Sequence, residues 1–408
     1  MPDSTTAAPT AHSKLNSALP LAETRRELLK WFGRCARKLP WRSQHDPYRV
    51  WVSEVMLQQT RVEAVVEPYG RFLEAFPSLA VLARADEAEV LARWSGLGYY
   101  RRARLLHAGA RHVAATHRGR IPRMRSELES VPGIGSYTAG ALLSIAFGQR
   151  EAALDANVVR VLARLCALKD PRSRTGRAEV GRVAAALVDC ANPGDVNEAL
   201  MDLGSALCTA RVARCEACPL RRVCRAFASG DPVAFAGPRP RKAPRRVQLA
   251  CAVTSGDSRV LFLRRPRDEA LLGGLWDLPT VELVGEADSQ PAAATRALRE
   301  LIRARTGMMA DVEGPVAVVR HDIIGRKISA SVYRARLAGA RRRQLPEDAR
   351  MLELCEWPRV GLPALPVKIL RMLGDDPSAD GGRGARVSAD RATQARARKR
   401  SSSAREEA

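Results

Sequence analysis

The chain has 408 residues, 46% of them hydrophobic, which is enough for two folded domains with their own cores. Its formal net charge is +23, which predicts a polyanionic partner. Binding to phosphates would be favoured because their neutralisation releases counterions. The alternative is that the excess charge lies in solvated tails. No apolar run is long enough to span a membrane, and the first residues lack the pattern of a signal peptide. We therefore expect a cytoplasmic protein.

The first half of the chain reads as helical. Residues 1–18 are rich in Ala, Ser, Thr and Pro and predict a disordered arm. From 19 to 227, apolar residues recur at helical spacing and Pro and Gly mark the helix ends, which predicts a mainly α-helical domain. Glu54 stands among Val, Trp, Met and Leu in this region. Such neighbours favour a partly buried carboxyl with a raised pKa, able to act as a general acid, over an exposed helix-surface Glu.

A glycine turn separates two short helices in residues 128–147. Ser126 and Glu129 predict a capping box for the first helix, and the second helix is expected to begin near Tyr137. Gly133 and Gly135 allow backbone N–H groups to point outward at a helix N-terminus, which is a binding site for a phosphate.

Asp155 and a group of four cysteines follow the turn. Asp155 is a favourable N-cap for a helix from 156 to 168. The four cysteines, spaced Cys-x6-Cys-x2-Cys-x5-Cys, can close around one metal centre: Cys208, Cys215, Cys218 and Cys224. Zinc is the alternative, although zinc sites usually contain two close cysteine pairs and this run contains one. The other five are expected to be small buried hydrophobes: Cys35, Cys166, Cys190, Cys251 and Cys355.

The second half of the chain no longer shows helical spacing of apolar residues throughout. Residues 228–247 are rich in Pro and Arg and predict a linker. Four short strands and one helix then predict a small α/β domain over 248–374: Val247–Val253, Val260–Leu263, Val316–Val319 and Ile328–Tyr333, with the helix at Ala292–Thr306. Residues 375–408 predict a disordered basic tail that adds nonspecific affinity for DNA.

The cysteine spacing at 208–224, the glycine turn and the following Asp155 together resemble the endonuclease III family of helix-hairpin-helix DNA glycosylases. The resemblance implies one [4Fe–4S] cluster held by the four cysteines and duplex DNA as the partner. It also implies that Asp155 is a catalytic carboxylate, which we expect Asn157 to orient.

Residues 39–61 resemble MutY-type adenine glycosylases within that family. The resemblance implies that Glu54 protonates adenine N7, and that Gln59 and Tyr99 wedge into the base stack. A core amide and a core ring are the alternatives for these two residues. The resemblance further implies that four residues form the walls of the adenine pocket: Trp41, Arg42, Tyr137 and Glu198. Trp41 and Arg42 could equally have a structural role.

Tyr137 occupies the position at which bifunctional members of the family carry a lysine nucleophile. The resemblance therefore implies a monofunctional enzyme that uses water.

The C-terminal domain resembles the Nudix-like lesion-reading domain of the same family through residues 261–282. Arg303 and Ala304 replace the paired glutamates that would bind a catalytic metal, so a recognition module is expected. The family's Ser and His contacts to 8-oxoguanine are replaced by Ile324 and Gly325, and we expect Arg326 or Lys327 to contact the lesion strand instead.

These features together predict a monomeric adenine DNA glycosylase that acts on adenine opposite 8-oxoguanine or guanine, in the cytoplasm of a bacterium and associated with its nucleoid. Three other functions remain open on the sequence. They are an endonuclease III-type glycosylase and lyase, a Nudix nucleotide pyrophosphohydrolase, and a noncatalytic zinc-dependent DNA-binding protein.

Overall fold

The structure is a computed structural model that describes most of the chain, namely residues 19–237, 243–254, 259–269, 272–285, 290–323, 325–338, 344–353, 356–357 and 360–374. The predicted arm and tail, together with Ile324 and Cys355, lie outside these residues. None of the described helices is long and apolar enough to cross a membrane.

A helical body comes first. Its α-helices are α1 (Leu21–Cys35), α2 (Pro47–Leu57), α3 (Val62–Ala75), α4 (Leu79–Arg84), α5 (Glu87–Arg93), α6 (Arg101–Thr116), α7 (Arg125–Ser130), α8 (Ser136–Ala141), α9 (Ala156–Leu165), α10 (Arg174–Val188), α11 (Pro193–Ala206) and α12 (Arg225–Ala228). A π-turn at Leu142–Ala146 continues α8, and a 3-10 turn at Pro232–Ala234 follows α12.

The helical body has two separate cores. The first gathers large side chains of α2, α3 and α6, with Trp51, Phe72 and Leu106 at most 1% exposed. The second is built from α1, α9, α10 and α11, with Leu28 and Leu162 fully buried. Because each helix buries one apolar face, the two cores leave a seam between α2 and α8 on one side and α9 and α11 on the other.

Two helix boundaries differ from the sequence prediction. The capping box at Ser126 and Glu129 is wrong, because α7 starts at Arg125 and its N-cap is Met124, which has no side-chain cap. Glu129 instead pairs with Arg125 at 2.9 Å, one helical turn away. The helix after Asp155 ends at Leu165 rather than 168, because Ala167 adopts a left-handed φ of 56°.

An α/β part follows, made of the strands β1 (Arg245–Thr254), β2 (Arg259–Arg264), β3 (Trp276–Asp277), β4 (Thr280–Leu283), β5 (Met309–Ile323), β6 (Arg326–Ala338) and β7 (Ala349–Glu353) and the helices α13 (Pro291–Thr306) and α14 (Ala364–Met372). One sheet has the order β4-β1-β6-β5, with β1 and β6 parallel, and a second has the order β3-β2-β7. The expected class, a mainly α-helical part followed by an α/β part, is confirmed.

The larger sheet is covered on both faces because side chains alternate along β1. Ala250 and Ala252 face α13 and belong to one core, whereas Cys251 and Val253 belong to a core shared with α14. The α/β part also contacts the helical body directly, since Leu275 is 1% exposed within the first helical core.

Candidate active site

A cleft of about 1180 Å³ opens in the seam between the two helical cores. It brings together ten of the residues assigned above to catalysis or DNA contact, which are Trp41, Arg42, Glu54, Gln59, Gly133, Gly135, Tyr137, Asp155, Asn157 and Glu198. Tyr99 and Arg326 instead line a second cleft. Residues far apart in sequence thus meet in one place.

Glu54 is the buried carboxyl of this cleft, with 5% of its surface exposed. It points from α2, and its Oε2 accepts a hydrogen bond from the hydroxyl of Tyr137 on α8. Burial, assisted by the negative charges of Glu198 and Asp155, raises the pKa of Glu54 to about 7, although the hydrogen bond from Tyr137 and the charge of Arg42 oppose the shift. A carboxyl with this pKa holds a proton that it can donate near neutral pH.

Asp155 is the second carboxyl of the cleft and also the N-cap of α9. Its Oδ1 accepts from the backbone N–H of Val158 at 2.6 Å, and its Oδ2 accepts from Nδ2 of Asn157 at 2.7 Å. Burial raises the pKa of Asp155, whereas these hydrogen bonds favour the ionised form. Capping and a role in the cleft are therefore compatible, because the cap fixes the direction of the carboxylate.

Asn157 is itself held from behind. Its Oδ1 accepts from Nη2 of Arg160 at 2.8 Å, and Nε of Arg160 donates to the carbonyl of Cys208 at 2.8 Å. Gly204 of α11 allows this close packing, since a Cβ there would stand 2.7 Å from the Cβ of Asn157. A continuous series of hydrogen bonds thus connects the carbonyl of Cys208 to the carboxylate of Asp155 through Arg160 and Asn157.

An ionic group forms another part of the cleft lining. Nε of Arg42 donates to Oε1 of Glu198 at 2.7 Å, and its Nη1 donates to Oδ2 of Asp202 at 2.8 Å. Arg37 donates to Asp202 as well, from Nε at 2.9 Å. Burial raises the pKa of Glu198 and the charge of Arg42 lowers it. Sequence reasoning missed Asp202 and Arg37, although the four-residue spacing of Glu198 and Asp202 places them on one helix face.

Trp41 and the two turn glycines occupy the rim. Trp41 is 6% exposed and packs edge-on against Tyr69, with 5.3 Å between the ring centroids. It therefore belongs to the first helical core and also lines the cleft. Gly133 has a φ of 84°, and a Cβ there would stand 2.8 Å from the Cβ of Leu105. Gly135 is exposed with open space at its Cβ position. A phosphate contact at this turn remains a prediction.

Gln59 and Tyr99 share an unusual backbone conformation. Their φ angles are 58° and 48°, in the left-handed region that residues with a Cβ seldom adopt. Gln59 is exposed at the mouth of the cleft, which is not the position of a buried core amide, and Tyr99 is half-buried.

Tyr99 lines a second cleft, of about 470 Å³, where the helical body meets the larger sheet. One face of that sheet contributes residues from all four strands, among them Thr280, His321, Arg326 and Ile328. Arg326, the first residue of β6, and Tyr99 therefore line the same cleft. Ile324 lies outside the described residues, so its replacement of a polar contact remains a prediction.

The four clustered cysteines line one small cavity of about 30 Å³ together with Arg164, Arg214 and Arg221. Arg164 is 1% exposed, and its Nη1 donates to Sγ of Cys208 at 3.3 Å. Within the described ranges, no three His, Cys, Asp or Glu side chains are arranged around a single metal ion, and the four thiols instead surround a shared cavity. Thiols beside cationic side chains are a donor set that suits an anionic metal–thiolate group.

The scattered cysteines only partly match their expected burial. Cys166 and Cys251 are buried and Cys190 is half-buried, but Cys35 is exposed and the prediction for it is wrong. Cys35 is the last residue of α1, where the apolar face of the helix has already ended.

Comparisons with known proteins identify a family, a relative and two solved structures that this chain resembles. Residues 52–183 match the family described as HhH-GPD superfamily base excision DNA repair protein. The chain is 34% identical to the adenine DNA glycosylase of Mus musculus, with 86% of this chain and 78% of that protein covered. The structure of a thermostable thymine-DNA glycosylase is 26% identical, covering 54% of this chain and 99% of that one at a TM-score of 0.48. A MutT NUDIX hydrolase from Burkholderia pseudomallei is 21% identical, covering 31% and 97% at a TM-score of 0.26.

The buried carboxyl predicts a pH-dependent stability. Because the folded pKa of Glu54 is about 7 and its ordinary value is 4.5, its stabilising contribution is fully present below about pH 4.5 and is lost as the pH rises through 7. The loss is on the order of 3 kcal/mol. Glu54→Gln removes this dependence, so its Tm relative to the unmodified protein should rise between pH 5 and pH 8.

Thermal unfolding of both proteins at the two pH values measures this shift. Glu67→Gln is the matched control, because the Glu67 side chain is 80% exposed on α3. A Tm difference between the Glu54 variant and the unmodified protein that stays constant with pH would rule out a buried titrating carboxyl.

Proposed function

The chain belongs to the adenine DNA glycosylases of the HhH-GPD superfamily, and we propose that it hydrolyses the N-glycosidic bond of adenine mispaired with 8-oxoguanine or guanine in duplex DNA. It is a base excision repair enzyme that removes adenine. The observation that carries the proposed mechanism is the pairing of buried Glu54 with Tyr137 in the same cleft as Asp155.

The two carboxyls have different tasks. Purine departure needs a proton because the adenine anion is a poor leaving group, and Glu54, with its raised pKa, supplies that proton to adenine N7. Asp155 is held by Val158 and Asn157 and stabilises positive charge that develops at the sugar C1′ as the bond breaks. Water then completes the hydrolysis.

Access to the bond requires that adenine leave the base stack. Gln59 and Tyr99 lie on turns with left-handed backbone conformations, and in this mechanism they fill the space that the extruded base leaves. The walls formed by Trp41, Arg42 and Glu198 then receive the base, and the net charge of +23 supports binding of the phosphate backbone by a single copy of the chain.

Two rival activities fit the residues less well. An endonuclease III-type lyase needs an amine nucleophile, but the position after the glycine turn holds the Tyr137 phenol, which is engaged with Glu54. A Nudix hydrolase needs clustered glutamates on one helix for Mg²⁺, but α13 carries Arg303 and Ala304 at the positions for paired glutamates.

A glycosylase assay tests the reaction. Single-turnover release of adenine from duplexes with adenine opposite each base should be fastest for 8-oxoguanine and guanine. Asp155→Asn should lose about 10²- to 10³-fold in rate, the size of a lost electrostatic contact in a transition state, while still binding DNA. Asp189→Asn is the matched control, since Asp189 has a 63% exposed side chain that faces Arg150.

Borohydride trapping completes that assay. A monofunctional enzyme gives little covalent enzyme–DNA complex, because no Schiff base forms. Efficient trapping, or undiminished cleavage by Asp155→Asn, would contradict the proposed mechanism.

The endonuclease III-like family is generally associated with an iron–sulfur cluster, and we propose that this chain holds one [4Fe–4S] cluster through Cys208, Cys215, Cys218 and Cys224. Supporting this are the shared cavity of the four thiols and the buried guanidinium of Arg164 against Sγ of Cys208. When bound, the cluster cross-links the loop. Through Arg160 that loop also supports Asn157.

The visible spectrum of the purified protein tests the cluster. A brown protein with broad visible absorption is expected, and Cys218→Ser should lose the colour, whereas the exposed Cys35→Ser should keep it. A colourless protein with bound zinc would favour a zinc centre and contradict the proposal.

We further propose that Arg326 reads the base opposite adenine from the second cleft. A guanidinium can bond two acceptors on a guanine edge, and Arg326, at the start of β6, lines the same cleft as Tyr99. Lys327 is exposed and follows on the other side of the strand, which makes it the matched control.

Arg326→Ala should narrow the rate gap between 8-oxoguanine:A and G:A duplexes by about 1–3 kcal/mol, the worth of a bidentate base contact. Lys327→Ala should leave the gap unchanged. If Arg326 holds a phosphate instead, both substrates will weaken together and the salt dependence of binding will fall, which would overturn its role as a reader.

A further inference from the structure

One buried side chain contacts both of the turns that carry Gln59 and Tyr99. Arg102 lies in the first turn of α6 and is 7% exposed. On the Gln59 side, its Nη1 donates to the carbonyls of Val55 at 2.9 Å and Met56 at 2.8 Å and also to the carbonyl of Gln58. The guanidinium thus caps the carbonyl end of α2 and also binds the first residue of the turn that follows.

The other arm of the same guanidinium reaches the second turn. Nη2 of Arg102 donates to Oγ1 of Thr60 at 3.0 Å and to the carbonyl of Leu97 at 3.3 Å, with a longer contact of 3.5 Å to the carbonyl of Gly98. Its Cζ also lies 5.2 Å from the centroid of the Tyr99 ring. One planar group therefore bridges residues 58–60 and residues 97–99.

The contacts described above surround the charge of Arg102 with carbonyl dipoles and include no carboxylate. Val55 and Met56 belong to the last turn of α2, where the unpaired carbonyls form the negative end of the helix dipole. Burial lowers the pKa of Arg102 to about 10, which leaves the side chain cationic at neutral pH. The helix terminus and the cation therefore stabilise each other.

Both turns need such support. Gln59 and Tyr99 have left-handed φ angles, which are unfavourable for residues with a Cβ and persist only where the surroundings fix them. Arg102 contacts the residues on either side of Gln59, namely Gln58 and Thr60, and the residue directly before Tyr99, which is Gly98.

We propose that Arg102 is a positioning residue that sets the two DNA-inserting turns in one fixed relation, so that Gln59 and Tyr99 enter the base stack together. It is buried behind both turns and acts through them rather than on DNA. This inference rests on the proposed insertion of Gln59 and Tyr99 during adenine extrusion.

Lysine cannot replace this side chain. An ammonium is a point charge on a flexible stem, whereas the guanidinium presents donors in a rigid plane that faces both turns at once. Arg102→Lys keeps the positive charge at the end of α2 but loses the bridge. The matched control is Arg111→Lys, which makes the same exchange at an exposed position of the same helix.

Two duplexes separate positioning from general damage. In the first, adenine stands opposite guanine; in the second, the same adenine stands opposite an abasic site, where extrusion costs less. Arg102→Lys should slow single-turnover release from the first duplex by about 10- to 100-fold, the effect of a small misplacement, and should recover most of the rate on the second. Arg111→Lys should match the unmodified enzyme on both.

Fluorescence of 2-aminopurine in place of the target adenine reports extrusion without any chemistry. Binding of the unmodified enzyme should raise the signal, and binding of Arg102→Lys should raise it much less. Equal losses of rate on both duplexes, or an unchanged fluorescence rise, would overturn the proposal. Failure of the proposed function would show separately, as an unmodified enzyme that unstacks the base but releases no adenine.

A milder variant covers the case in which Arg102→Lys does not fold, as judged by thermal unfolding. Thr60→Ala removes a single hydroxyl acceptor of Arg102 and leaves α2 and α6 intact. It should show the same preference for the abasic duplex on a smaller scale. An unchanged ratio between the two duplexes would again contradict the bridge.

Discussion

The proposed chemistry of this protein depends on one constraint, which is that the carboxyl of Glu54 stays out of water and in contact with Tyr137. Burial of Glu54 raises its pKa to about 7, and the phenol of Tyr137 occupies one of its oxygens. The seam between the two helical cores provides that environment, because α2 and α8 meet there with their apolar faces committed to the first core. A single core would leave no sheltered cleft at this place.

The rest of the cleft complements that proton donor with fixed charges. Asp155 takes its direction from the N-terminus of α9, and Arg42 is held by Glu198 and Asp202. Two carboxyls of the same cleft thus have different surroundings, one mainly apolar and one rich in hydrogen-bond donors, which is how acid and charge-stabilising roles are separated at one pH.

Local patterns in the sequence predicted much of this structure, and contacts between distant segments were beyond them. The apolar neighbours of Glu54 indicated its burial, and Asp155 was recognisable as an N-cap from the helix that follows it. The contact between Glu54 and Tyr137 joins residues 83 positions apart, and no local spacing encodes it. The bridging role proposed for Arg102 was missed for a related reason. Its acceptors are mostly backbone carbonyls, and because every residue carries one, no residue type in the sequence marks them. The capping box failed because α7 begins before Ser126.

The pH dependence of adenine release under single-turnover conditions tests the central role of Glu54 most directly. A protonated Glu54 as general acid predicts a rate that falls as the pH rises above about 7, and a slow rate without this fall for Glu54→Gln, with Glu67→Gln behaving as the unmodified enzyme. Comparable rates at pH 6 and pH 9 for the unmodified enzyme, or near-normal release by Glu54→Gln, would contradict it.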